Sequence, residues 1–169
     1  MGEAKRIGDY ILEEGICTHE VLHEALAKKA ALKEENINKS LGSILIEHFN
    51  IEEEKLSVCF ARMHLDILKE SATFSSFRED LLVKIVAKVS QQVAWKDTLI
   101  FEKGSESDSF FVIISGEVSV FIETEEGEAH QLYKLNPGDS FGEIALLSEG
   151  LHSTSAKATC DTSLLMLSK

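Results

Sequence analysis

Two hydrophobic periods divide the chain. Up to about residue 68, apolar residues recur every three or four positions, as on one face of a helix; beyond about residue 90 they alternate or fall in short blocks, as in strands. Ile7, Ile11 and Leu12 form an apolar face that stops at Gly15, a residue suited to close a helix. Thr18 can cap the next helix, along which Val21, Leu22, Ala25, Leu26 and Lys29 share a face. Leu41, Ile44 and Leu45 predict a short third helix ending near Asn50, and Leu56, Cys59, Phe60 and Met63 predict a fourth. The two units superimpose at a fixed period of 34 residues. Arg6-Ile7-Gly8 then faces Ser40-Leu41-Gly42, Ile11 faces Leu45, Cys17 faces Ile51, Leu22 faces Leu56, Leu26 faces Phe60, and Lys29 faces Met63. Such internal duplication predicts two similar helix pairs packed on each other.

Phe74, Phe77, Leu81, Leu82, Ile85, Val86 and Val89 predict one more amphipathic helix with its lead-in. From there the period becomes 2. Val93 and Trp95 read as one strand, and Thr98 to Phe101 as a second after the Lys96-Asp97 turn. Phe110 to Ile114, Glu117 to Ile122 and Leu132 to Leu135 follow, separated by polar or glycine-centred turns. Short strands at about ten-residue spacing predict an antiparallel sandwich or small barrel. The fold class is therefore α+β: an all-helical duplicated domain over residues 1–68, then an antiparallel β domain over residues 69–169.

Composition narrows the function classes. The 169 residues are 44% hydrophobic with a single Pro, which is a globular composition. No apolar run approaches the ~20 residues of a spanning helix, and no signal-peptide core follows Met1, so no membrane insertion is expected. Cys17, Cys59 and Cys160 show no paired spacing, which predicts buried free thiols in a reducing compartment and hence a cytoplasmic location. With 17 Lys+Arg against 29 Asp+Glu the formal charge is −12, and neither half carries a basic stripe. Phosphate neutralisation supplies most sequence-independent nucleic-acid affinity, so DNA and RNA are excluded as expected partners. There is no nucleophile elbow, no His-Glu-His pair and no Walker loop, so no enzyme chemistry is expected. His19 and His23, at i and i+4, could share a metal, but no third ligand lies nearby in sequence; no metal or other cofactor is expected.

The segment richest in chemistry is Phe141-Gly142-Glu143-Ile144-Ala145, directly after the turn Asn136-Pro137-Gly138-Asp139. Gly142 lets the backbone come close to a ligand. The amides after it predict a short helix whose N-terminus suits an anion, and Glu143 can accept hydrogen bonds from sugar hydroxyls. A plainer role for Glu143 is capping its own helix start. The segment resembles the phosphate-binding cassette of the cyclic nucleotide-binding domain family. Ile100-Phe101-Glu102-Lys103-Gly104, Asp108-Ser109-Phe110-Phe111-Val112-Ile113, Ser115-Gly116-Glu117-Val118 and Pro137-Gly138-Asp139 all sit where that family's jelly roll has its turns and strands. The resemblance implies a jelly roll, cAMP or cGMP as ligand, and a site made of Phe141, Gly142, Glu143, Ile144 and Ala145 with His152, Ser153 and Thr154.

One position departs from the family. Its Arg, about nine residues after the cassette Glu and usually after a Pro, pairs with the cyclic phosphate; here those places hold His152 and Leu151. Ser153 follows, where a hydroxyl in the family favours guanine. An imidazole cannot reproduce the bidentate guanidinium fork. The loss corresponds to roughly 10–100-fold in affinity. Three readings stay open: a working site in which cassette amides, Ser153 and Thr154 share the phosphate; a degenerate pocket used for docking; and a pocket for another small ligand, with His152 adding pH sensitivity. Leu164 to Lys169 is expected as the last strand, after which the resemblance implies lid helices. A fragment, a lid supplied by a partner and an open pocket are the alternatives at that point.

Residues 5–68 resemble the N-terminal domain of type II secretion and type IV pilus assembly ATPases. Some members of that family bind cyclic di-GMP through a repeated Arg-Leu-Gly … Gln motif; others dock a partner protein. Arg6 and Gly8 match the first repeat and Lys29 stands at its Gln position, which together would make a second nucleotide site. In the second repeat Ser40 and Met63 replace Arg and Gln, and Ser has no substitute for a stacking, phosphate-clamping guanidinium. The sequence therefore favours docking to a protein of a pilus, secretion or motility system. Taken together it predicts a bacterial signalling adaptor, with a ligand-independent scaffold and a cyclic di-GMP receptor as alternatives.

Overall fold

The computed structural model describes residues 5–106, 109–124, 128–142 and 150–168. Five helices come first: α1 (Ile7–Glu13), α2 (His19–Glu34), α3 (Leu41–Phe49), α4 (Glu53–Glu70) and α5 (Glu79–Val86). The strands follow: β1 (Val89–Ala94), β2 (Leu99–Phe101), β3 (Ser109–Ser115), β4 (Val118–Glu123), β5 (Ala129–Leu135), β6 (Ser140–Phe141), β7 (Ser155–Ala158) and β8 (Thr162–Ser168). Two compact units result, Met1–Met63 and His64–Lys169, and the division falls inside α4. Among the described residues no helix is long and apolar enough to cross a membrane.

In the first unit, side chains fix the helix starts. Thr18 Oγ1 accepts the Val21 N–H at 3.3 Å, Ser40 Oγ accepts that of Ser43 at 3.1 Å, and the Asp9 carboxylate accepts that of Arg6 at 2.7 Å. Gly15 and Asn50 leave α1 and α3 with φ of +63° and +53°. The duplication is visible in the coordinates, since Ile7 and Leu41, and then His19 and Glu53, open equivalent helices 34 residues apart. The pairs Ile11 and Leu45, Leu22 and Leu56, and Ala25 and Cys59 are all buried. Gly8 and Gly42 serve helix approach: a Cβ on Gly8 would lie 3.2 Å from Leu22 Cδ2, and one on Gly42 3.2 Å from Phe60 Cζ. Leu26 differs from its expected place on the apolar face, being 48% exposed. It follows Ala25 by one residue, about 100° round the helix, and falls off the narrow buried stripe.

The thiols also differ from expectation in part. Cys59 is buried and Cys17 half-buried, but Cys160 is exposed in the turn between β7 and β8. Burial pushes the Cys59 thiol up to about 11, helped by the charge of Glu14 and opposed by that of Arg62.

The second unit is a sandwich of two four-stranded antiparallel sheets, ordered β1-β8-β3-β6 and β2-β7-β4-β5. The nested pairings β1 with β8, β2 with β7, β3 with β6 and β4 with β5 are those of a jelly roll. Its interior holds Phe111, Ile113, Val118, Val120, Phe141, Ala156, Ala158 and Leu164. A second apolar layer forms on the outer face of the first sheet, where Phe110, Val112 and Leu165 meet Leu68, Phe74 and Leu82. Strand β3 therefore feeds both layers, which is why Phe110 to Ile113 is apolar without alternation.

The lead-in to α5 is a series of turns, with the Phe74 ring edge-on to Phe77 at 5.3 Å and to Phe110 at 5.4 Å. Val89, which its apolar spacing assigns to the helix, instead opens β1, and Trp95 lies one residue beyond that strand. Val89 packs on the same cluster as Ile85 and Val86, so the apolar pattern runs unbroken across the change of structure.

Two features hold the sandwich beyond its cores. Gly116 has φ +97°, and a Cβ there would meet Thr162 Cα at 2.6 Å and Asp161 O at 2.8 Å. Beside it Thr159 Oγ1 donates to Glu117 Oε1 at 2.6 Å and Lys134 Nζ at 2.9 Å, which hold the Glu117 carboxyl below its ordinary range, the Thr159 bond first. On the other side His64 is buried and hydrogen-bonded by Gln91, whose Nε2 also donates to Ser163 Oγ at 2.8 Å. Burial lowers the His64 pKa, and the Gln91 bond opposes that shift.

Two predictions follow from these contacts. Gly116→Ala should lose about 2–4 kcal/mol, through strained backbone and overlap with Thr162. An unchanged denaturant midpoint would show that this turn can move aside. For His64, the unfolded chain binds a proton at a higher pH than the folded one, so between the two values it holds more protons and stability falls as pH falls. From neutrality towards about pH 5 the midpoint should therefore drop more steeply in the natural chain than in His64→Gln. Parallel profiles would remove His64 as a source of acid sensitivity.

Candidate functional site

Phe101, at the end of β2, is the ring around which the expected site residues gather. The His152 imidazole lies flat on it, with centroids 3.7 Å apart and planes within 6°. The Phe141 ring lies 5.8 Å from Phe101 and stacks on Phe111 at 5.2 Å. Phe101 thus places Phe141 and His152 against one aromatic surface, although they are far apart in the chain. Such contacts contribute beyond the area they bury.

The backbone of His152 is held as firmly as its ring. Gly104 N–H donates to His152 O at 2.8 Å, and His152 N–H donates to Ser105 O at 2.9 Å. Glu106 bridges Leu151, and Lys103 N–H donates to Ser155 Oγ at 2.9 Å. The turn after β2 and the segment before β7 are therefore zipped together. Gly104, at φ +84°, makes the bend that aims these groups.

Gly142 meets two constraints. Its φ is +86°, and a Cβ there would lie 2.9 Å from the Ser109 carbonyl oxygen of β3. Just before it, Thr73 and Ser140 hydroxyls hydrogen-bond at 2.6 Å, tying the turns ahead of α5 to β6. Ser153 is exposed and Thr154 half-buried, both between Leu151 and β7. Glu143, Ile144 and Ala145 lie outside the described residues. The structure thus brings Phe141, Gly142 and His152 together, with Ser153 and Thr154 next in the chain. Among the described residues the charged groups on the adjoining turn are Glu102, Lys103 and Glu106, all exposed.

The second expected site has a different setting. Arg6 is exposed at the start of α1, Gly8 packs on Leu22 inside the first turn of that helix, and Lys29 is half-buried on α2. Gly8 therefore has a full structural reason in helix packing.

Sequence reasoning gives Phe101 only as a strand residue, because its role rests on a stack with a residue 51 positions away. The local signal that was present is Gly104, which marks a turn aimed by backbone rather than by side chain. Removing this ring provides a test. Phe101→Ala should cost about 2–4 kcal/mol, and hydrogen exchange at the His152 amide should quicken. If His152 stays equally protected, the backbone bonds alone hold it.

Known proteins share this part of the chain. Residues 92–169 match the family model for the cyclic nucleotide-binding domain. A cGMP-dependent protein kinase of Caenorhabditis briggsae is 37% identical over 86 residues, which is 50% of this chain and 12% of the kinase. The cyclic AMP receptor protein of Thermus thermophilus is 41% identical over 68 residues, 40% of this chain and 32% of the receptor. The chain thus matches only a minor part of each relative's length. In structure, the regulatory domain of Toxoplasma gondii PKA, solved with cAMP, superposes with a TM-score of 0.61 at 23% identity, covering 64% of this chain and 41% of that one. By sequence and by fold, residues 92–169 form a cyclic nucleotide-binding domain.

Proposed function

We propose that the C-terminal domain senses a cyclic mononucleotide, cAMP or cGMP, and that the N-terminal helical unit docks a partner protein, making the chain a non-enzymatic signalling adaptor of the bacterial cytoplasm. The observation that carries the first part is the gathering of Phe141, Gly142 and His152 on the ring of Phe101. It sets the entry to the cassette beside the residue that stands in the phosphate-binding position. The relatives named for cGMP and cyclic AMP support the ligand class. Two duplicated helix pairs support the second part, since a unit with no clamp for a phosphate still offers helix faces to a protein. A partner from a pilus, secretion or motility system follows from the N-terminal resemblance.

A ligand-independent scaffold is the second reading, favoured by the flat His152–Phe101 stack, which gives His152 a structural task of its own. A cyclic di-GMP receptor stands behind it, because Gly8 is accounted for by Leu22 and Ser40 cannot act as the missing Arg.

Calorimetric titration of the chain with cAMP, cGMP and cyclic di-GMP separates these readings. The sensor reading expects saturable micromolar binding of one mononucleotide, lost in Glu143→Ala and tightened about 10–100-fold in His152→Arg. Binding of cyclic di-GMP that Arg6→Ala abolishes would move the sensor to the first unit. No heat with any ligand in any variant would leave the scaffold.

A further inference from the structure

We propose that His152 gates this site by pH, so that its affinity for an anionic cyclic nucleotide rises as the solution becomes more acidic. The inference rests on the nucleotide reading above and deepens it. Its basis is the placement of the imidazole. The ring is stacked face to face on Phe101, and the His152 N–H and C=O are both bonded to the Gly104–Ser105 turn, so it stays beside Phe141 and Gly142. A neutral imidazole offers a ligand one N–H donor and no charge; once protonated it offers two donors and a full positive charge. The face of a phenyl ring attracts a cation, so the Phe101 stack favours the protonated form.

The other charged groups around it bear on the same balance. The turn bonded to His152 carries Glu102, Lys103 and Glu106, and the rings packed behind Phe101 are the uncharged Phe111 and Phe141. Asp108, Glu143 and Glu149 lie in neighbouring stretches outside the described residues. Carboxylates outnumber the single Lys in this surrounding, which again favours imidazolium. Histidine changes charge between about pH 5 and 8, whereas an Arg in the same place would stay charged throughout. The cyclic phosphodiester keeps its single negative charge across that range, so a change in affinity would report the protein.

The experiment is titration of the full chain with cAMP and with cGMP from about pH 8 to about pH 5.5, comparing the natural protein with His152→Gln and His152→Arg. The natural protein should tighten by about tenfold over that interval. His152→Gln should stay weak and vary little, and His152→Arg should bind tightly at every pH. All three keep His64, so acid effects from that buried residue cancel in the comparison. Natural and His152→Gln profiles that run parallel would overturn the gate while leaving nucleotide binding intact. If His152→Arg also binds neither nucleotide at any pH, the gate and the nucleotide reading fall together.

Discussion

Strand β3 turns no polar face to water over its first five residues, because it lies between two apolar layers. Phe111 and Ile113 pack into the sandwich, while Phe110 and Val112 pack under the helices on the other side. Its backbone is pinned by pairing to β8 along one edge and to β6 along the other. Burial on both faces fixes register strongly, since a slip of one residue exchanges every side chain between layers. What surrounds the site inherits that order. Phe141 takes its place by stacking on Phe111, and Gly142 passes within reach of the Ser109 carbonyl where only a hydrogen fits.

The same features explain which parts were legible in advance. The repeat of 34 residues survives as equivalent helix starts because packing positions such as Ile11 and Leu45 must stay apolar. The jelly roll's turns were readable because Gly104, Gly116 and Gly138 each take a positive φ that few other residues accept. Val89 was not readable. An apolar residue serving the outer layer looks the same on a helix as on a strand, and only the pairing of β1 with Leu167 of β8 separates the two. Cys160 shows the opposite failure, as an apolar residue type placed in a turn whose exposure no period could show. The stack of Phe101 on His152 belongs to neither class, being a contact between two loops that only the closed sandwich brings together.

Several residues that a motif search marks as functional have structural work as well. Gly142 is required by the Ser109 carbonyl whether or not a ligand comes near. Gly8 is required by Leu22 in the same sense, and that weakens it as a sign of nucleotide binding. His152 is the informative case, because its backbone bonds could be made by any residue, whereas its ring stack could not. Aromatic or planar side chains alone would satisfy Phe101 at 3.7 Å, and a guanidinium is among them. The position thus accepts two planar cations of different permanence.

That difference in permanence sets the electrostatics of the site. The chain carries −12 overall, and long-range repulsion of an anion is screened beyond about 8 Å at physiological salt. Within that distance, backbone dipoles do not titrate and contribute a fixed attraction. Whatever attraction varies with conditions must come from a group whose charge varies. Of the side chains gathered on Phe101, only the imidazole of His152 can change its charge, so the chain's one clear departure from its family is also the point at which this site can respond to acidity.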